Sequence, residues 1–139
     1  MKNVSFFLLL VVLAFSFSVA GCGSSSDEPQ TVALIQSDSG KTVSLHQNQT
    51  MTISLKGNAS TGYGWEVVPG AESILTQQGN SQYVPDSTEP GMVGGGGTYT
   101  YTFKAAALGT ASLQLIYRAP WMTGTPPAQT FAVTVVVGN

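Results

Sequence analysis

Regular alternation of apolar and polar residues is the feature that most constrains how this chain folds. In the stretch QTMTISLKG, residues 49–57, every second side chain is apolar. The same pattern recurs in GTYTYTFKA (97–105), TASLQLIYR (110–118) and TFAVTVVVG (130–138). Successive side chains of a β-strand point to opposite faces of a sheet, so each stretch predicts a strand with one face in a core.

Shorter stretches complete an all-β prediction. TVALIQS, KTVSLHQ, GWEVV and SQYVP have strand-like composition and are separated by glycine and proline clusters. AESILTQQ, residues 71–78, is the best helical candidate, and a short turn or strand fits it equally well. About seven to eight strands in residues 31–139 predict an immunoglobulin-like antiparallel β-sandwich. The chain has one cysteine, so the sandwich has no disulfide. A closed barrel is the alternative.

The first residues of the chain are typical of an export signal. Lys2 precedes an unbroken apolar run at residues 6–15, and this run is shorter than the roughly 20 residues that span a bilayer. A true membrane helix is the alternative. The run leads into Val-Ala-Gly-Cys, residues 19–22, which resembles the bacterial lipoprotein box. This resemblance implies a signal peptide at residues 1–21 and a lipid on Cys22; a coincidental cysteine is the alternative.

The segment after the cysteine predicts a short tether. Residues 22–30 begin at the lipidated terminus and continue as the polar stretch GSSSDEPQ, which is typical of a flexible linker. We expect an exported protein, lipid-anchored in the bacterial cell envelope, and in the outer membrane if the cell is Gram-negative, because position 23 is Gly rather than Asp. The only expected membrane contact is through the N-terminal lipid.

The net charge of the chain and its lack of catalytic residue patterns exclude several functions. The chain after residue 21 has four basic and seven acidic residues, a net charge of −3, and no basic stripe that would bind nucleic acid. His46 is the only histidine, which predicts a solvated surface residue rather than a metal ligand or catalytic base. Asp86 and Glu89 lie in a Pro/Gly-rich loop where nothing predicts the burial that acid–base catalysis needs. We expect no enzyme, no catalytic residues, no metal and no cofactor, and a monomer.

Three loops between the predicted strands are unusual. The first, residues 58–64, is NASTGYG; the second, residues 89–98, contains four consecutive glycines; the third, residues 117–129, carries Trp121 behind a proline. The glycines could serve only as turn or linker residues. Trp65, at the start of a strand pattern, is predicted to be core. Trp121 lies outside any alternating run, and either a core position or a binding hot spot fits it.

These loops, in this order, resemble those of the chagasin-type inhibitors of papain-like cysteine peptidases. That family carries an N-P-T-T-G-[YF] loop, a G-x-G-G loop and an R-P-W loop on an immunoglobulin-like sandwich. Here NASTGY, GGGG and YRAPW stand in the same places. Ala59 replaces the frequent proline, Ala119 occupies the arginine position, and Arg118 lies one place earlier.

The resemblance implies a reversible proteinaceous inhibitor whose three loops form a wedge that occludes the active-site cleft. The implied peptidase-binding residues are Asn58, Ser60, Thr61, Gly62, Tyr63, Gly94, Gly95, Gly96, Gly97, Arg118, Pro120 and Trp121. Among them, Thr61 and Gly62 are predicted to touch the peptidase, while Trp65 and Tyr63 hold the first loop from behind. The alternative function is a non-inhibitory immunoglobulin-like binding or adhesive module of a surface lipoprotein.

Overall fold

The computed structural model of the protein describes residues 30–87, 89–91 and 94–139. The predicted signal peptide, Cys22 and nearly all of the predicted tether lie outside the described residues. The described residues form nine strands: β1 (Val32–Ile35), β2 (Thr42–His46), β3 (Thr50–Gly57), β4 (Gly64–Val68), β5 (Leu75–Gln77), β6 (Gln82–Pro85), β7 (Gly97–Ala105), β8 (Gly109–Arg118) and β9 (Gln129–Gly138).

Two short 3₁₀ turns, Gln36–Asp38 and Ala59–Thr61, are the only helical elements in this part of the chain. Among the same residues, no helix has the length and apolar character that crossing a membrane requires. The segment AESILTQQ forms a turn followed by β5, because Ala71 and Leu75 are its only buried side chains and too few to support a helix.

The strands form the predicted two-sheet sandwich. One sheet has the order β1-β3-β7, with β5 and β6 both paired along the far side of β7; the other has the order β2-β9-β8-β4. The sandwich is not wholly antiparallel as predicted, because β1 runs parallel to β3 and β2 runs parallel to β9. In each parallel pair, the two strands are separated in sequence by at least one strand of the opposite sheet, so no hairpin forces them antiparallel.

The alternating stretches supply the core. Their apolar positions point between the sheets, and the most deeply buried large side chains are Phe131, Met51, Ile53, Leu55, Leu113, Leu115 and Val135. Trp65 is buried as predicted, and His46 is exposed as predicted. Because this burial removes most of the apolar surface from water, the core fixes the strand register and holds the loops at each end in place.

The sandwich has two distinct ends. At one end, β3 and β8 finish and β4, β7 and β9 begin. This end is called the loop pole. It carries residues 58–63, the described part of 86–96, and residues 119–128. The opposite end, called the base, carries the start of β3 and the end of β9. At the base, Nε2 of Gln49 donates to the carbonyl of Gln30 at 2.6 Å. Gln49 is the one buried polar residue in the described part of the chain.

Candidate functional site

The first loop is a single 3₁₀ turn that satisfies its own polar groups. Oδ1 of Asn58 accepts hydrogen bonds from the backbone N of Ser60 at 3.1 Å and from its hydroxyl at 2.6 Å. The hydroxyl of Thr61 donates to the carbonyl of Asn58 at 2.6 Å and accepts from the backbone N of Tyr63 at 3.3 Å. Gly62 ends the turn with a φ of +78°, a conformation that favours glycine. The loop is therefore held rigid by its own sequence.

Asn58 also joins the first loop to the second. Its Nδ2 donates to the carbonyl of Gly94 at 2.9 Å. The neck of the second loop is closed where the backbone N of Asp86 donates to the carbonyl of Gly96 at 2.9 Å. Beside this neck, Nζ of Lys56 lies 2.6 Å from Oδ1 of Asp86. Gly94 and Gly95 are exposed at the loop pole next to the first loop.

Gly97 lies behind the loop pole rather than on it. It is buried at the start of β7, paired with Gly57 and Pro85. A Cβ added to Gly97 would lie 2.5 Å from the ring of Tyr83, so glycine is required there for packing. Gly97 therefore serves packing within the sandwich, and its predicted contact with a peptidase stays a prediction.

The third loop rests on the first. The ring of Trp121 lies over Gly62, where an added Cβ would stand 2.5 Å from its Cη2 atom. The hydroxyl of Tyr63 donates to Sδ of Met122 at 3.0 Å. Trp121 is nevertheless 69% exposed, which excludes the core alternative, and Pro120 beside it is exposed too. Glycine is therefore required at position 62 for packing, because a side chain there would clash with the ring of Trp121.

Arg118 is engaged outside the loop pole. It is the last residue of β8, and its guanidinium donates to Glu66 of β4 from Nε to Oε2 at 3.1 Å and from Nη2 to Oε1 at 2.9 Å. The hydrogen bonds that the guanidinium donates to this carboxylate raise the pKa of Arg118. Ala119, at the arginine position of the family motif, is fully buried. The guanidinium thus braces two strands below the loops, and its predicted contact with a peptidase stays a prediction.

A layer of aromatic side chains supports the loops from below. The ring of Tyr117 lies 5.6 Å from that of Tyr63 and 5.3 Å from that of Trp65. Its hydroxyl accepts a hydrogen bond from the backbone N of Asn58 at 2.8 Å. Nε1 of Trp65 donates to the carbonyl of Lys56, just before the first loop, at 2.9 Å. Trp65 and Tyr63 therefore support the first loop as predicted.

Sequence analysis missed the role of three tyrosines in this layer. Tyr117 and Tyr99 occupy inward positions of alternating strands, and nothing in the alternation indicates that their hydroxyls reach the loop. The hydroxyl of Tyr99 donates to the carbonyl of Tyr63 at 3.3 Å, and Tyr83 packs against Tyr99 with ring centroids 4.7 Å apart. Burial raises the pKa of Tyr99 and of Tyr101. A tyrosine hydroxyl is protonated at neutral pH in any case, and the raised pKa extends this protonated range to higher pH.

The described residues offer no catalytic or metal-binding constellation at this pole. No group of three or more His, Cys, Asp or Glu residues in this part of the chain could hold a metal ion. The described residues of the three loops form one surface, in which Trp121 lies over Gly62 of the first loop and Asn58 is hydrogen-bonded to Gly94 of the second.

The model of the chagasin family peptidase inhibitors, I42, matches residues 44–135. The chain belongs to this family. It is 31% identical over 90 residues to amoebiasin-1 from Entamoeba histolytica, covering 65% of this chain and 84% of the relative. The assignment confirms the predicted chagasin-like sandwich and the prediction of a cysteine-peptidase inhibitor rather than an enzyme.

Several solved structures share this fold. The crystal structure of the cysteine protease inhibitor EhICP2 from Entamoeba histolytica matches with a TM-score of 0.69 and 24% identity, over 78% of this chain and 96% of that one. The structure of PbICP-C in complex with falcipain-2 matches with a TM-score of 0.51 and 20% identity, over 79% of this chain and 92% of that one. At these identities the likeness is one of fold.

Replacing Gly62 with alanine should displace the Trp121 ring. Gly124 is a matched control, because it has a similar φ of +88° but no atom within 4 Å of an added Cβ. Both variants should lose roughly 1 to 2 kcal/mol of stability from left-handed backbone strain. Only Gly62→Ala should also raise the quenching of tryptophan fluorescence by acrylamide. Equal quenching in the two variants would show that Trp121 is not seated on Gly62.

Two substitutions at Asn58 should separate its two functions. Asn58→Asp keeps the oxygen that caps the turn but loses the donor to Gly94, whereas Asn58→Ala loses both. We expect Asn58→Ala to destabilise the protein by about 1 to 2 kcal/mol, as for other lost caps, and Asn58→Asp by less. Exchange of the Asp86 amide, which donates to the carbonyl of Gly96 at the neck of the second loop, should rise in both variants, and exchange of residues 60–63 should rise only for Asn58→Ala. Unchanged exchange at Asp86 would contradict the tie between the loops.

Proposed function

We propose that this domain inhibits papain-like cysteine peptidases reversibly, by inserting its loop pole into the active-site cleft. The observation that carries the proposal is that three loops distant in sequence are joined into one projecting surface, through Asn58 to Gly94 and Gly62 to Trp121. Membership of the chagasin family supports it. So does the complex of PbICP-C, a protein of the same fold, with falcipain-2.

The first loop is the centre of the wedge. Residues 59–62 are exposed and carry no charge, so their transfer from water into a narrow cleft costs little desolvation energy. Internal hydrogen bonds of Ser60 and Thr61 order the turn before binding, which reduces the conformational entropy lost on association. The proposed block is steric and non-covalent.

The residues at the pole divide into contacts and supports. We propose that Ser60, Thr61, Gly62, Gly94, Gly95, Pro120 and Trp121 touch the peptidase, because all are exposed at the loop pole. Asn58, Tyr63 and Gly96 position them through hydrogen bonds and packing beneath the surface. Trp121 is the expected anchor, since a large aromatic side chain on a proline-stiffened loop buries much area at low entropic cost.

We further propose that the inhibitor acts in the cell envelope as a monomer. The leader and the cysteine motif support export and lipid attachment at Cys22, with the outer membrane as the site in a Gram-negative cell. The peptidase is then the protein partner, the membrane is contacted through the lipid, and nucleic acid has no part.

Titration of papain and of a cathepsin-L-like enzyme with residues 23–139 tests the proposal. Residual activity on a small peptide substrate is measured, with trypsin as the serine-peptidase control. We expect loss of both cysteine-peptidase activities at nanomolar inhibitor, recovery after dilution, and no effect on trypsin. Full cysteine-peptidase activity at micromolar inhibitor, with the domain shown to be folded, would refute the proposal.

Trp121→Ala should weaken inhibition without unfolding the domain. Loss of a hot-spot tryptophan costs on the order of 2 kcal/mol or more in binding, roughly a 30-fold higher inhibition constant. Because the ring is 69% exposed, stability should change by only about 0.5 kcal/mol. Leu108→Ala is the matched control, since Leu108 is 48% exposed in the β7–β8 turn at the base. If the two variants inhibit equally well, Trp121 is not the anchor.

A further inference from the structure

The chain joins the domain at the end opposite to its three loops. β1 runs parallel to β3, with Val32 opposite Met51 near the start of β3. β3 then runs to Gly57, immediately before the first loop. The carbonyl of Gln30 is held at the base by Gln49, whose side chain is buried and also accepts from the backbone N of His46 at 2.9 Å. The point where the tether meets the domain is therefore fixed.

The distance between the two ends follows from the strand between them. β3 has eight residues, which span about 27 Å at a rise of roughly 3.4 Å per residue. β9 also ends at the base, so the C-terminal residue lies there as well. From Cys22 to Gln30 the chain has eight peptide links, which can span at most about 28 Å. A lipid on Cys22 thus keeps the base near the bilayer.

Few unpaired basic side chains on the described domain are available to bind its sides to an anionic lipid surface. Three of the four basic side chains in the described residues are in ion pairs, Lys41 with Asp38, Lys56 with Asp86, and Arg118 with Glu66. Attraction to anionic lipid amounts to about 1 kcal/mol per basic residue near the surface. The carboxylate in each ion pair offsets the positive charge and so reduces this attraction.

The exposed apolar side chains form no membrane-binding face either. Among the described residues the large ones are Ile35, Val84, Leu108 and Trp121. Ile35 and Val84 face outward on the same sheet, but the strands between them place the polar residues Ser54 and Thr100 there. Leu108 lies in the β7–β8 turn at the base and Trp121 in the third loop, so the four side chains form no continuous apolar face. The attachment point of the tether therefore determines the orientation of the domain relative to the membrane.

We infer that the lipid anchor and the peptidase-binding loops occupy opposite ends of the domain, so that the anchored inhibitor holds its loops away from the bilayer and captures soluble peptidases from the aqueous side. This inference rests on the proposed inhibition and lipid attachment. It specifies the partner as an enzyme free in the aqueous compartment that the anchored surface faces, rather than one held close to the same bilayer.

Coupling the mature chain to vesicles tests the inference. Cys22 is the only cysteine, so unlipidated residues 22–139 attach at their natural anchor point to a maleimide lipid in phosphatidylcholine–phosphatidylglycerol vesicles, and residual maleimide is blocked. A second protein, Cys22→Ser with Thr123→Cys, attaches through the exposed third loop. For each protein, inhibition of papain in the coupled form is divided by inhibition in its own free form.

We expect the protein coupled through Cys22 to inhibit within about twofold of its free form, and the protein coupled at position 123 to lose at least about tenfold, because that geometry turns the loops toward the lipid. A tenfold loss for the Cys22 form, or equal ratios for the two, would overturn the inference. If neither free form inhibits papain, the proposed function fails instead.

Tryptophan fluorescence reports the orientation independently of inhibition. Trp65 and Trp121 both lie at the loop pole, and they are the two tryptophans of the chain. Lipids brominated near the headgroup should leave the fluorescence of the Cys22-coupled protein unquenched and should quench that of the protein coupled at position 123. Quenching of the Cys22-coupled protein would show that the loop pole lies on the membrane and would refute the inference.

Discussion

The arrangement of the loop pole depends on the hydrogen bonds of Asn58. Its side-chain oxygen caps the 3₁₀ turn, its side-chain nitrogen holds the second loop at Gly94, and its backbone N is held by the hydroxyl of Tyr117. One residue thus connects two loops to the core of the sandwich. Because each of these bonds satisfies a group that would otherwise compete for water, the turn is ordered without a partner. A rigid inhibitory surface is the result.

The glycines near the loop pole contribute to this surface by making room for aromatic rings, which their sequence context does not indicate. From sequence alone, the glycines of the first and second loops could serve only as turn or linker residues. At Gly62 and Gly97 the missing side chain instead makes room for Trp121 and Tyr83. Gly57, opposite Gly97, does the same for the rings of Tyr99 and Tyr117. Aromatic rings therefore reach the loop pole because the strands beside them end in glycine.

Alternation predicted the strands and their inward faces because burial has the same two-residue period as the strand. It also placed Trp65 in the core. It did not predict the parallel pairing of β1 with β3, because pairing partners depend on contacts between segments far apart in sequence.

The same limit applies to the candidate site. The three loops were found by composition and by resemblance, but the pairing of Arg118 with Glu66 joins residues on different strands. The hydrogen bond from Asn58 to Tyr117 likewise crosses between sheets. Side-chain contacts of this kind follow from the three-dimensional packing, and no local pattern in the sequence encodes them. Ala119 shows the consequence: its position matches a motif arginine, yet it is fully buried.

The sandwich is stabilised without any cysteine, since the single one in the chain precedes the described residues. A cysteine peptidase needs its nucleophile as a free thiolate, and conditions that preserve this thiolate also reduce exposed disulfides. A fold that depended on a cross-link would weaken where its target is most active. Here apolar packing between two sheets provides the stability, so the inhibitor and its target can remain functional at the same redox potential.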